Sequence, residues 1–237
     1  MNSILITRPS GQAAAEIQAC AAAGWHAVSF SPIRIEADEA ALRHLPEQFA
    51  AADAVFWVSP GAVGVAAPLL DFSDGLPQQI AVGQGSAAAL AAFCRQPVQA
   101  PQTGNDSEAA LQLPVWRSLP AGAKILIIRG HGGREWLARE LRRRGFAVEF
   151  AEVYFRRPQA LDWNVFAQAK PRAAYVTSSE IARALFGQVP PRLAQALKTL
   201  LYFTHHERIA ATLKAAGAQH VRLVARLDMQ TLQRETE

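Results

Sequence analysis

The chain has 237 residues, of which 50% are hydrophobic and 19% are charged, and its formal net charge is +4. This length predicts two domains of about 100–130 residues each, and the composition excludes an intrinsically disordered protein. No apolar run is long enough to cross a membrane or has the form of a signal-peptide core. We therefore expect a cytoplasmic protein with no membrane partner.

The two cysteines and the excess of basic residues limit the kinds of site and ligand that we expect. Cys20 and Cys94 lie in alanine-rich helical patterns and are expected to be buried, inert thiols, which excludes a disulfide framework and a CxxC redox or metal site. Arginine outnumbers lysine, and its guanidinium suits carboxylates and phosphates. Since no basic block is interleaved with aromatic residues, we expect a polyanionic small molecule as the ligand and no nucleic acid.

The first predicted element is a buried strand, and it opens a unit that recurs later in the chain. Segment 4–25 aligns without a gap with segment 125–146, so that Arg8 matches Arg129. Both segments have the pattern of a strand, a glycine-containing turn, an amphipathic helix and a glycine stop. Each is therefore predicted to form the first half of a βαβ unit.

Two further pairs of segments continue the repeat. A strand, a small polar turn and a helix are predicted from Ala54 and again from Ala173, with Ser59 matching Ser178. The third pair has the same pattern, but its second copy replaces a glycine–serine turn with Thr-His-His-Glu at 204–207. Alternating strands and helices in this order predict α/β domains with doubly wound parallel sheets.

The repeat alone leaves the domain boundaries open. Each domain is either contiguous, or the chain crosses between the domains twice, at the extended segments around Pro32 and Tyr154. In the second case one domain contains both termini and the other is the middle of the chain. We expect the functional site in the cleft between the two domains.

Seven segments share their order and spacing with those of one enzyme family. They are TRP near the N-terminus, WVSPGAV, AVGQGSAAAL, GNDSEAAL, ILIIRGHGGREWLARELRRRGF, EVYFRRP and YVTSSEIARALF. No single segment is specific, but together they cover nearly the whole chain, which resembles the uroporphyrinogen-III synthase family. The segment THHERIA departs from the family, which often has a glycine and threonines there.

The resemblance implies that two α/β domains are joined by a two-stranded β connection. One domain then contains residues 1–33 and 158–237, and the other contains residues 37–152. The linkers lie near 31–36 and 153–157, and a connection this thin is expected to act as a hinge.

The resemblance also implies an enzyme, a cyclising hydro-lyase of haem and wider tetrapyrrole (porphyrin) biosynthesis. Its substrate is hydroxymethylbilane, a linear tetrapyrrole, which it closes to uroporphyrinogen III with loss of water and inversion of the last pyrrole ring. Electron-rich pyrroles expel the hydroxyl themselves, so the protein supplies leaving-group assistance and shape rather than strong acid–base chemistry. We expect it to act as a monomer.

Tyr154 is the candidate catalytic residue, because its phenol can donate a hydrogen bond to the departing hydroxyl. It matches the family's tyrosine after the second crossover segment. The alternative interpretation is an ordinary strand aromatic. Tyr175 and Tyr202 lie in apolar strand patterns and are predicted to belong to the core.

The eight carboxylates of the substrate require hydrogen-bond donors. Hydroxyl residues at helix starts offer both a side chain and free backbone N–H groups, and arginines after the first strand of each repeat offer charge. The candidate substrate-binding residues are Arg8, Ser59, Gly83, Ser86, Arg129, Thr177, Ser178 and Ser179. Helix capping and solvated strand-end arginines are the alternatives, and Gly83 would allow close backbone approach.

No cofactor is expected. His205 and His206 lack a spaced third ligand, so no metal is predicted, and the turns that start at Gly83 and Gly130 lack complete phosphate-binding fingerprints. Two other functions remain open. One is a two-lobed cytosolic small-molecule binding module for an anionic ligand, and the other is a nucleotide-sugar transferase, for which the chain is short.

Overall fold

The computed structural model describes residues 2–9, 11–73 and 77–235. The chain forms two compact units, one made of Met1–Ile35 with Arg157–Glu237 and the other made of Glu36–Arg156. No helix within the described ranges is long and apolar enough to span a membrane.

Strands and helices alternate along the chain. The strands are β1 (Ser3–Ile6), β2 (His26–Ser29), β3 (Ile33–Ala37), β4 (Ala54–Trp57), β5 (Gln78–Ala81), β6 (Lys124–Gly130), β7 (Ala147–Pro158), β8 (Ala173–Tyr175), β9 (Leu201–Thr204) and β10 (His220–Leu223). The α-helices are α1 (Ala14–Ala22), α2 (Glu39–Ala50), α3 (Pro60–Ala66), α4 (Gln84–Leu90), α5 (Ser107–Ala110), α6 (Val115–Ser118), α7 (Trp136–Arg143), α8 (Trp163–Ala169), α9 (Ser179–Gly187), α10 (Pro191–Lys198), α11 (Glu207–Ala215) and α12 (Met229–Gln233).

The first unit is built on a parallel sheet of five strands in the order β10-β9-β8-β1-β2. Successive residues of β1 point to opposite faces, as they must in a strand. Leu5 packs in the same cluster as Ile181 of α9. Ile4 packs on the other face with Cys20 of α1. Helices therefore cover both faces of this sheet.

The second unit has a sheet in the order β3-β7-β6-β4-β5, and the four strands from β7 to β5 are parallel. Neighbouring aromatic residues of β4 again serve opposite faces. Phe56 contacts Trp116 of α6, with ring centroids 6.4 Å apart. Trp57 contacts Phe72, with ring centroids 6.5 Å apart. This sheet is also packed on both faces.

The boundary between the units falls inside β3 and β7, which are neighbours in the sheet. The backbone N–H of Asp38 donates to the carbonyl of Val153, and that of Gln159 donates to Pro32, both at 2.9 Å. Residue numbers rise along one strand as they fall along the other, so these strands are antiparallel. The predicted fold class, two doubly wound α/β sheets joined by a β connection, is confirmed.

The repeat in the sequence corresponds to repeated helix boundaries. Ser59 and Ser178 cap α3 and α9, each accepting a hydrogen bond from the backbone N–H three residues later. Gly24 and Gly145 follow α1 and α7 with φ of +73° and +89°, a left-handed conformation that favours glycine and ends a helix. The matched positions thus have matched backbone roles.

Candidate active site

Each sheet has a topological switch point. This is a pair of neighbouring strands from which the chain continues to the next strands in opposite directions across the sheet. This point lies between β1 and β8 in the first unit and between β4 and β6 in the second. Doubly wound proteins bind ligands beyond the carboxyl ends of the strands at such points. Arg8 and Thr177 follow β1 and β8, while Ser59 follows β4 and Gly130 ends β6.

Tyr154 lies beside the switch point of the second unit. Its hydroxyl accepts a hydrogen bond from Nη2 of Arg156 at 3.1 Å and lies 3.5 Å from Oγ of Ser59. The phenol ring covers Gly130, where an added Cβ would come within 2.4 Å of the ring carbon Cε2. Only glycine at position 130 therefore permits this ring position. The structure brings two of the predicted site residues, Tyr154 and Ser59, together.

Arg129 is buried, and each nitrogen of its guanidinium has a partner within the protein. Nη2 and Nε lie 2.9 and 3.1 Å from one carboxylate oxygen of Glu152, and Nη1 donates to the carbonyls of Gly133 and Arg134 at 3.1 and 3.3 Å. The guanidinium carbon also lies 3.8 Å from the centroid of the Phe150 ring. These contacts hold the turn that precedes α7.

A cavity of about 260 Å³ opens at this edge of the second unit. Its apolar wall includes Val58 and Phe150, and its polar groups include Ser107, Arg134 and Arg156. The volume is below the roughly 300–1,000 Å³ of sites for drug-sized ligands. The cavity is therefore large enough for one ring of a larger ligand rather than for the whole molecule.

Gly83 and Ser86 lie at the start of α4, next to the same edge. An added Cβ at Gly83 would meet Oδ1 of Asn105 at 2.2 Å, so glycine allows the loop that contains Asn105 to approach α4. The φ of Gly83 is extended and requires no glycine. The hydroxyl of Ser86 is buried and forms no hydrogen bond with the described part of the chain. A buried hydroxyl without a partner is unusual.

The predicted residues of the first unit lie at the carboxyl edge of its sheet. Nη1 of Arg8 forms an ion pair with Oε1 of Glu16, a buried residue of α1, at 2.7 Å. Ser178 caps α9. The hydroxyl of Ser179 contacts that of Thr212 at 3.0 Å, which ties α9 to α11. Within the described ranges, the Thr177 hydroxyl forms no hydrogen bond.

A larger cavity of about 980 Å³ lies at the opposite edge of this sheet. It is lined by residues at the amino ends of β8, β9 and β10, including Arg172, Leu201 and His220. None of the predicted site residues lines it. The larger cavity and the predicted site residues of the first unit therefore lie at opposite edges of the same sheet.

Comparison with known proteins identifies the relatives of the chain. The family model described as Uroporphyrinogen-III synthase HemD matches residues 14–233. The uroporphyrinogen-III synthase of Escherichia coli (strain K12) is 30% identical over 98% of both chains. The chain belongs to the uroporphyrinogen-III synthase family. The resemblance predicted from the sequence is thereby confirmed. The uroporphyrinogen-III synthase of Salmonella typhimurium is 32% identical, again over 98% of both chains.

Solved structures of the uroporphyrinogen-III synthase family share the fold. Uroporphyrinogen-III synthetase from Helicobacter pylori superposes with a TM-score of 0.58, at 14% identity, over 100% of this chain and 98% of that one. A mutant uroporphyrinogen III synthase from Thermus thermophilus gives a TM-score of 0.57, at 16% identity, over 100% and 97% of the two chains. These likenesses concern the architecture.

The structure adds two residues to the candidate site that the sequence prediction did not include. Arg156 lies two residues after Tyr154 in β7, and residues at this spacing share a face of a strand, which is the signal that could have identified it. His205 follows β9 at the carboxyl edge of the first unit. Partial burial, together with the nearby charges of Arg8 and His206, lowers the pKa of His205.

Thr204, just before His205, is fully buried, and its hydroxyl has no hydrogen-bond partner in the part of the chain that the structure describes. The alignment of this turn with the glycine–serine turn of the earlier repeat was the available signal. No group of three or more His, Cys, Asp or Glu residues suited to a metal ion occurs among the described residues.

Proposed function

We propose that this chain is a uroporphyrinogen-III synthase, which closes hydroxymethylbilane to uroporphyrinogen III in tetrapyrrole biosynthesis. The observation that carries the proposal is the 30% identity to the Escherichia coli enzyme over 98% of both chains. We also propose that the two compact units are its two domains. The protein acts as a monomer in the cytoplasm, without nucleic acid.

The first chemical step is the departure of the hydroxyl group. The C–O bond breaks as the pyrrole nitrogen donates electrons, and the hydroxyl leaves as water after it accepts a proton. Tyr154 is the proposed donor. Because Arg156 already donates to the phenol oxygen at 3.1 Å, the single phenol proton points elsewhere and is available to the leaving group. The positive guanidinium stabilises the charge that develops on the phenol oxygen.

The second step is the choice of the attacking carbon. Closure through the free terminal position gives the type I isomer. Attack by the substituted carbon instead gives a spiro intermediate, which reopens and closes again with the last ring inverted and so gives the type III isomer. Selection therefore depends on how the bilane is folded, which is a matter of proximity and orientation. The cavity of about 260 Å³ beside Arg156 is of the size for one substituted pyrrole ring.

The carboxyl edge of each sheet offers donors for carboxylates of the bilane. In the second unit these are the Ser59 hydroxyl and the Arg134 side chain, which is 63% exposed. In the first unit they are Arg8, Thr177 and the start of α9, where Ser178 is the cap and backbone N–H groups are free. Arg129 acts indirectly, because its guanidinium is engaged with Glu152.

The test is conversion of hydroxymethylbilane by the purified protein, followed by oxidation and chromatographic separation of the products. The proposal expects the type III isomer. A protein that binds the bilane but leaves only the type I isomer would instead be a binding module, which would refute the proposed function.

A further inference from the structure

Arg156 differs from the other arginines at the candidate active site. Three arginines line the cavity of the second unit, and two of them have a carboxylate nearby: Arg129 pairs with Glu152 at 2.9 Å, and Arg134 lies 3.5 Å from Glu108. Arg156 is exposed and, among the described residues, pairs with no carboxylate. Its charge is therefore available to an acidic ligand.

The guanidinium of Arg156 also has unused donors. It offers five N–H groups, and one of its two terminal nitrogens donates to the Tyr154 hydroxyl. Nη2 carries two hydrogens, one on the edge it shares with Nε and one on the edge it shares with Nη1, and only one of them is donated to Tyr154. One of these two edges therefore keeps both of its donors, and it has no hydrogen-bond partner in the described part of the chain. A planar guanidinium can bind a carboxylate through two parallel hydrogen bonds, and this requires such a free edge.

The proposed substrate supplies a suitable carboxylate. Its eight carboxylates are shared among four rings, so the ring that carries the departing hydroxyl also carries acidic side chains on its neighbouring carbons. We infer that Arg156 binds a carboxylate of this ring with its free edge while it donates to Tyr154, and so couples the position of the ring to the departure of the hydroxyl. This inference rests on the proposed function.

If Arg156 couples ring position to hydroxyl departure, its loss should change the isomer ratio, whereas loss of a residue that only binds the substrate should not. Where Arg156 holds the ring against Tyr154, the hydroxyl leaves only from the folded bilane, and the substituted carbon attacks first. Without Arg156 the hydroxyl also leaves from poorly oriented bilane, which then closes through its terminal position. Loss of Arg156 should therefore raise the share of the type I isomer, whereas loss of the phenol proton should only slow the reaction.

The experiment compares Arg156→Gln and Arg156→Lys with the unchanged protein. Arg143→Gln is the matched control, because Arg143 is a surface arginine of α7 with 73% side-chain exposure and a neighbouring Glu140. We measure kcat and KM for hydroxymethylbilane, the ratio of type III to type I product, and the melting temperature. The melting temperature should fall by no more than about 2–4 °C, the scale of the one hydrogen bond to Tyr154 that is lost.

Arg156→Gln is expected to lower kcat/KM by about 10- to 100-fold, the scale of one charge-assisted hydrogen-bonded pair, and to raise the type I share. Arg156→Lys keeps the charge but not the two parallel donors. Compared with Arg156→Gln, it should therefore show a smaller rise in KM but nearly the same increase in the type I share. An unchanged kcat/KM would overturn the inference. So would a fall in kcat/KM at a constant isomer ratio, since carboxylate binding would then be separate from hydroxyl departure.

A double variant provides an independent check. In Tyr154→Phe with Arg156→Gln, the two losses in kcat should overlap, because part of the Arg156 effect acts through the phenol. Losses that simply multiply would overturn the coupling. Failure of the unchanged protein to form any type III product would refute the proposed function instead, so the two failures are distinguishable.

Discussion

Removal of the Tyr154 hydroxyl is the sharpest perturbation of the candidate active site. Tyr154→Phe keeps the ring that covers Gly130 and removes one oxygen with two polar neighbours, Arg156 at 3.1 Å and Ser59 at 3.5 Å. Loss of one positioned proton donor should lower kcat by about 10- to 1000-fold. The product should remain mainly type III, because spontaneous loss of the hydroxyl still occurs from bound, folded substrate.

The effect of Tyr154→Phe on stability should be small. Its main partner Arg156 is exposed and can bind water instead, so the lost hydrogen bond costs about 1 kcal/mol or less. For a chain of this length that lowers the melting temperature by about 2–4 °C. Tyr202→Phe is the matched control, since its fully buried hydroxyl donates to the Leu197 carbonyl at 2.8 Å.

The assay follows the initial rate, the isomer ratio and the melting curve of both variants. Tyr202→Phe should lose stability without a loss of rate. An unchanged rate in Tyr154→Phe would refute the catalytic role. A lowered rate accompanied by a loss of stability larger than that of Tyr202→Phe would make Tyr154 a structural residue.

Three further outcomes are expected, each from a different feature of the chain. Gly130→Ala must displace the Tyr154 ring, because a Cβ would lie 2.4 Å from it, and a shift of about 1 Å should lower kcat by about 100-fold. Gly64→Ala is the control, since its Cβ meets nothing within 4 Å, and it should not change kcat. Equal kcat values for the two variants would contradict the packing of Tyr154 on Gly130. Backbone N–H groups of α2 and the neighbouring His131 lower the pKa of Asp38, so this carboxylate stabilises the fold above its unfolded pKa, and that contribution is lost as the pH falls through its folded pKa. The free energy of unfolding of Asp38→Asn, measured with urea, should therefore fall less than that of the unchanged protein between about pH 6 and pH 3. Identical pH profiles would show that the Asp38 carboxylate does not contribute to this pH dependence. Exhaustive chelation and desalting should leave turnover intact, and activity restored by a defined metal would contradict a cofactor-free reaction.

The fold was predictable because hydrophobic periodicity and repeated turn residues are local properties. Ser59 and Ser178 match in the repeat and both cap helices, and Gly24 and Gly145 both end helices in the left-handed conformation. The parallel sheets also followed from the alternation of strands and helices, since parallel strands require crossover connections.

The side-chain contacts of the site were less predictable, because they join residues distant in sequence. Tyr154 and Ser59 are 95 residues apart, and their contact depends on β7 and β4 flanking β6. Arg129 was predicted as a substrate-binding residue, and its ion pair with Glu152 from the adjacent strand was not predictable from either residue alone. Arg156 had no predicted role, because its hydrogen bond to Tyr154 is visible only once both side chains are placed.

If this chain is a uroporphyrinogen-III synthase, it should determine which isomer of uroporphyrinogen forms. Hydroxymethylbilane is incubated with increasing amounts of the purified protein, and the type III and type I products are separated after oxidation. The share of type III product should rise with protein concentration from its enzyme-free value towards completeness. A type I share that stays at its enzyme-free value at every protein concentration would contradict it.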